Sequence, residues 1–137
     1  MPGLADIPGN HILRIPVAAA MASASTDDET VGVTVPFKAT VKSVKWVPAA
    51  AVTANGTNYT TVSVRNRKAD ASGSALPASR SYAATNSVAF VAEAMTLSGT
   101  ASDLALAAGD VLTVQRIHTA SGVSVPAGLV EVTVQWS

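Results

Sequence analysis

The chain has 137 residues and a mass of 13.8 kDa, with 9 Lys+Arg against 9 Asp+Glu and no cysteine. That length suits one domain with its own core, able to bury roughly two-thirds of the surface its unfolded chain exposes. Zero net charge argues against nucleic-acid binding, which needs an excess of Lys and Arg for the phosphates, and the missing cysteine excludes disulfides and thiolate chemistry.

Residues 1–10, with Pro2, Gly3, Pro8 and Gly9, are too broken to join a sheet and read as an extended N-terminal arm. Leu4, Ile7 and Pro8 are its expected contacts with another copy or a partner. Residues 11–137 then read as a single β-sandwich domain. Residues 12–24 combine apolar and small side chains, but Arg14 interrupts them and no Lys/Arg cluster precedes them, so they are assigned to the domain rather than to a signal peptide. The longest apolar run, residues 16–22, is far short of the roughly 20 residues of a membrane span.

Periodicity along the chain is two rather than 3.6. Leu13, Ile15 and Val17 form a first strand face. Residues 31–47 alternate with Val31, Val33, Val35, Phe37 and Val41 on one parity, then switch to Val44 and Trp46. A one-residue switch exchanges buried and exposed faces, which predicts a bulge near Lys42-Ser43. Pro36 cannot donate to a ladder, so an edge, bend or junction is expected there. In residues 59–68, Val62 and Val64 point inward, and Tyr59, Thr61, Ser63 and Arg65 outward. A polar loop over residues 69–79 follows, flanked by Arg65, Arg67, Lys68 and Arg80; these read as solvated charges or as a contact loop for an acidic partner.

Residues 87–97 change parity between Val88/Phe90 and Met95/Leu97, as two short strands would. Helix is limited to one turn near Asp103, with Ser102 as its cap. Residues 111–118 put Val111, Thr113, Gln115 and Ile117 on one face and Leu112, Val114, Arg116 and His118 on the other. In the last strand Val130, Val132, Val134 and Trp136 alternate with Glu131, Thr133 and Gln135. About eight strands, separated by turn signals such as Asn55-Gly56, Gly109-Asp110 and Ser121-Gly122, predict an all-β, antiparallel two-sheet sandwich of jelly-roll type.

Chemistry-bearing patterns are sparse. His11 and His118 read as polar strand residues, and no nucleophile elbow, phosphate loop or zinc-protease motif occurs. Asp27-Asp28-Glu29 offers oxygen ligands for calcium but lacks a fixed ligand spacing, and reads as a solvated loop. Asn55 and Asn58 open glycosylation-like triplets, yet an Asn-Gly turn explains them without a sugar. No catalytic residue, cofactor or metal is expected. With charged residues at only 13%, about half the usual quarter, the surface is expected to be covered by partners in a homo-oligomer, three copies around an axis being preferred.

In the C-terminal third, Leu97-Ser98-Gly99-Thr100-Ala101 precedes Ala107-Ala108-Gly109-Asp110-Val111-Leu112-Thr113-Val114, and then come Gly122, Pro126-Ala127-Gly128 and the closing strand. This stretch, residues 95–136, resembles the jelly-roll proteins that decorate tailed-bacteriophage heads. The resemblance implies a structural virion protein on the outer capsid surface, bound to the major capsid protein of the same virus and stabilising the shell. It carries over no individual functional residue. The alternative is a receptor- or carbohydrate-binding sandwich of a viral fibre or tail, for which Trp46, Tyr59, Tyr82 and Trp136 are the available aromatic platforms. A different structural component of the virion, and least of all an enzyme, are further readings.

Overall fold

A computed structural model describes residues 9–137 of the chain. Among these, the expected alternating segments become strands β1 (Asn10–Val17), β2 (Asp28–Thr34), β3 (Ala39–Pro48), β4 (Tyr59–Asn66), β5 (Ala75–Ser81), β6 (Glu93–Ala94), β7 (Thr96–Leu97), β8 (Ala105–Leu106), β9 (Val111–Thr119) and β10 (Gly128–Trp136). One helical turn, α1 (Ala101–Leu104), interrupts them. Two antiparallel sheets form a sandwich: β1-β10-β3-β6, with β8 also on β3, and β2-β9-β4-β5-β7. Leu4, Ile7 and Pro8 lie outside the described residues.

The pairing is nested. β1 pairs with β10, β2 with β9, β3 with β6 and β8, and β4 with β5. Strand ends are brought together as a result. The connections after β1, β3, β5 and β9 all emerge at one end of the sandwich, because Val17 and Pro48 are both opposite Gly128, and Tyr59 is opposite Thr119. Asn10 and Gln135 are opposite each other at the other end.

Inward faces of both layers supply the core: Ile15, Val44, Trp46, Val130 and Val132 from the first sheet meet Val62, Val64, Leu112 and Val114 from the second. Each such side chain taken fully from water contributes about 1.5–3 kcal/mol. The parity switch in β3 is a bulge: Thr133 is opposite Ser43 and Val134 opposite Val41, leaving Lys42 without a partner. Val44 and Trp46 are thereby buried alongside Val41. Pro36 marks the junction between β2 and β3, and Pro16 sits in β1, an edge strand where no second ladder needs its missing N–H.

Gly32 is a second irregularity, between Val31 opposite Thr113 and Val33 opposite Leu112. A Cβ there would lie 2.6 Å from the Leu112 carbonyl and 2.7 Å from Ile15, so only glycine lets β1 and β2 approach this closely.

Three expectations change. The strands number ten rather than about eight, since the segment after β5 pairs only in two-residue pieces. The expected long loop over residues 69–79 is shorter, because Ala75–Ser81 pairs with β4. Ser102 lies inside the helical turn instead of capping it; Thr100 holds the cap position, and Ser98 Oγ donates to Asp103 Oδ2 at 2.7 Å.

Candidate functional site: surfaces and buried networks

The four basic residues expected around the β4–β5 loop are separated and turned onto the chain itself. Arg65 Nε donates to the Gly73 carbonyl at 3.0 Å. Arg67 grips Glu29 with two nitrogens, Nε at 2.7 Å. Lys68 Nζ stands 3.8 Å from Asp110. Arg80 belongs to β5, not to the loop; its Nε donates to Glu93 at 2.7 Å and its guanidinium lies 4.1 Å over the Tyr82 ring.

Glu29 is the hub of the second sheet's outer face. Besides Arg67 it accepts from Thr113 Oγ1 at 2.6 Å and Gln115 Nε2 at 3.2 Å. The hydrogen bond from Arg67, helped by Thr113 and Gln115 against a smaller opposing effect of burial, holds the Glu29 carboxyl down at about 2. Above this group lies an open depression of about 600 Å³ whose apolar rim is Val31, Ala69, Ala71 and Val111. Val31 is 77% exposed.

The acidic cluster is not a solvated loop. Asp28 and Glu29 open β2, and each faces an arginine. Arg116, 2% exposed, donates Nε to Asp28 at 3.0 Å and Nη1 to the Ala19 carbonyl at 2.7 Å. Asp27 accepts the His118 backbone N–H at 2.8 Å. With these carboxylates committed to protein donors, no group of three or more His, Cys, Asp or Glu converges among the described residues.

His118 has more structure around it than a polar strand residue requires. Its Nδ1 is 2.8 Å from Thr60 Oγ1, and its Nε2 is 3.1 Å from the Ala22 carbonyl and 3.3 Å from Ser25 Oγ. The arrangement invites comparison with a serine–histidine pair. Nε2 donates to Ala22, since a carbonyl only accepts, and Thr60 Oγ1 gives its own proton to the Val123 carbonyl at 2.8 Å. Ser25 Oγ donates to Ala22 at 2.6 Å instead of facing a free base. His118 is therefore a clamp between β9, β4 and the connection after β1. His11 stacks edge-on against Phe37 at 5.0 Å, and its buried Nε2 has no hydrogen-bond partner among the described residues.

A second buried chain runs through the aromatic residues. Trp46 Nε1 donates to Tyr82 Oη at 2.8 Å, and Tyr82 Oη meets Ser87 Oγ at 2.8 Å. Burial pushes the Tyr82 phenol above its ordinary value. Trp46 and Tyr82 are fully buried, Trp136 packs on Phe37 at 4.5 Å, and Tyr59, expected to point outward, is half-buried against the core.

Gly109-Asp110, the turn singled out in the sequence, has a structural task. Gly109 adopts φ +89°, and the buried Asp110 accepts from Asn66 Nδ2 and the Ala107 N–H, both at 2.9 Å. That fixes the point where β9 begins.

The connections after β1, β3, β5 and β9 knit into one cap. Met21 bridges Val125, Val52 bridges Ser87, Ala49 donates to Ala127 at 2.8 Å, and Phe90 donates to Pro48 at 2.8 Å. Val88, Phe90 and Val91 protrude from it. Sequence alternation had placed Val88 and Phe90 on a strand; the backbone turns there instead. No family model, curated protein or solved structure matches the chain.

Proposed function

We propose that this chain is a structural virion protein that covers the outer surface of a tailed-phage capsid as a homo-oligomer, bound to the major capsid protein, and stabilises the shell. One observation carries the reading: Arg67, Arg80 and Arg116 are turned onto Glu29, Glu93 and Asp28 within the chain, while Val31, Val88, Phe90 and Val91 stand in solvent. An exterior of this kind favours contact with protein surfaces, and repetition over a lattice multiplies weak contacts. The nested strand order supports a jelly-roll reading, in which a rolled ribbon places its first and last strands side by side. The alternative, a carbohydrate- or receptor-binding sandwich of a fibre or tail, calls for exposed aromatic platforms, and Trp46 and Tyr82 are buried.

The test is addition of purified protein to undecorated heads. Saturable binding, extra mass on the outside of the shell by electron microscopy and a higher temperature of shell rupture are expected. Absence of binding at saturating protein, or localisation to the tail, would refute the proposal.

A further inference from the structure

We infer that the cap formed by the connections after β1, β3, β5 and β9 is a self-docking surface, on which copies of this chain meet around a symmetry axis with Phe90 at the contact. The inference deepens the function proposed above by assigning the surface that makes the oligomer, and it rests on that reading only for the oligomer's purpose.

Charge provides the first argument. Residues 18–26, 49–58, 82–92 and 120–127 contain no Asp, Glu, Lys or Arg, although the chain has nine acidic and nine basic residues elsewhere. These segments are far apart in sequence, and the sheet order delivers all of them to the same pole. The one charged residue of these connections is Asp27, next to β2, whose carboxylate accepts the His118 backbone N–H at 2.8 Å; nearby, Arg80 is paired with Glu93 and Arg116 with Asp28. A nucleic acid, an anionic lipid or an acidic protein patch would find no Lys or Arg in these segments. A second copy of the pole offers the same small-residued, nearly charge-free surface and brings no basic residues together.

Shape provides the second. Phe90 is 77% exposed and Val88 64%, in a chain with only two phenylalanines. Phe90 adopts φ +62°, a left-handed conformation that a bulky residue avoids unless its surroundings impose it. Its surroundings do: Phe90 N–H is bonded to Pro48, Arg80 Nη2 donates to the Thr85 carbonyl at 3.0 Å, and Ser87 is tied to Tyr82. A backbone fixed before contact presents the Phe90 side chain from one position, so only side-chain freedom remains to be lost on docking. The same pole carries a shallow hollow of about 360 Å³ of mixed polar and apolar lining, with Ser23, Thr53 and Ser124 beside Ala51, Val52 and Val123.

The test uses the full chain and reads mass by sedimentation equilibrium. Wild type is expected at a multiple of 13.8 kDa, and Phe90→Ser and Val88→Ser at the mass of one chain with unchanged circular dichroism and melting. Because the chain lacks cysteine, a single introduced thiol is an unambiguous probe. Phe90→Cys should form disulfide-linked pairs under mild oxidation, whereas Lys38→Cys, exposed at the opposite end, should not. A single-chain mass for wild type at all concentrations would overturn the inference. So would an oligomer that both serine variants leave intact, or cross-linking through position 38 in place of 90. If Phe90→Ser keeps the oligomer but abolishes uptake by undecorated heads, the pole faces the shell and self-docking is refuted. If the serine variants become monomeric and still coat heads, the pole contact stands and the need for an oligomer in decoration falls.

Discussion

Arg116 and Asp28 form an asymmetric pair: the guanidinium is 2% exposed, the carboxylate 38%. Removing the acid and removing the base should therefore have unequal effects. Asp28→Ala leaves a buried cation with only the Ala19 carbonyl at 2.7 Å and two more distant ones at 3.4 Å, from Val125 and Pro126. Stranding a buried charge costs about 3–5 kcal/mol, and water entering the space of a half-exposed carboxylate places this case near 3. Arg116→Met leaves a carboxylate that water can solvate, a surface-pair loss of about 0–1 kcal/mol, plus one carbonyl without its donor, about 1–2 kcal/mol. Arg116→Met should accordingly cost about 2 kcal/mol, less than Asp28→Ala, and the double variant should be more stable than Asp28→Ala alone. Urea unfolding at neutral pH with common slopes measures all three differences. If Asp28→Ala is the milder substitution, or if the two effects simply add, the account of Arg116 as a cation dependent on Asp28 is wrong.

Tyr82→Phe removes the oxygen that joins Trp46 Nε1–H to Ser87 and should cost about 1–3 kcal/mol in chemical denaturation, since the indole donor is then buried unpaired. A loss under half a kcal/mol would contradict this. Glu29 titrates at about 2 in the folded chain against 4.5 in the unfolded one, so its stabilisation is complete above pH 4.5, fades as pH falls from 4.5 to 2 and is absent below. With the side chain 22% exposed, this amounts to about 1–3 kcal/mol. Urea midpoints of wild type and Glu29→Gln should differ at neutral pH and converge near pH 2; a gap of constant size would refute the assignment.

Local pattern was enough wherever a strand has one apolar face. The parity switch after Val41 located the bulge at Lys42, and Pro36 located the junction, because both rules act over neighbouring residues. β5 escaped notice because Ala75–Ser81 has small and polar side chains without alternation, and its pairing with β4 is a tertiary fact. Val88 and Phe90 misled in the opposite way: alternation suggested a strand, but hydrogen bonds to Pro48 and Val52 hold a turn. The pairings of Arg67 with Glu29 and Arg116 with Asp28 join residues of β2 to distant segments, so no spacing rule could have found them. The charge-free segments were each visible in the sequence, but only the order of strands makes them one surface.

The alignment of Asn10 with Gln135 has a practical corollary. Anything fused ahead of the first strand or behind the last would depart from one spot, side by side, a sandwich's length from Phe90. Tags, fluorophores or displayed peptides could thus be mounted there in pairs while the opposite pole stays clear, and a short linker between the two ends would let the chain be reopened elsewhere as a permuted protein.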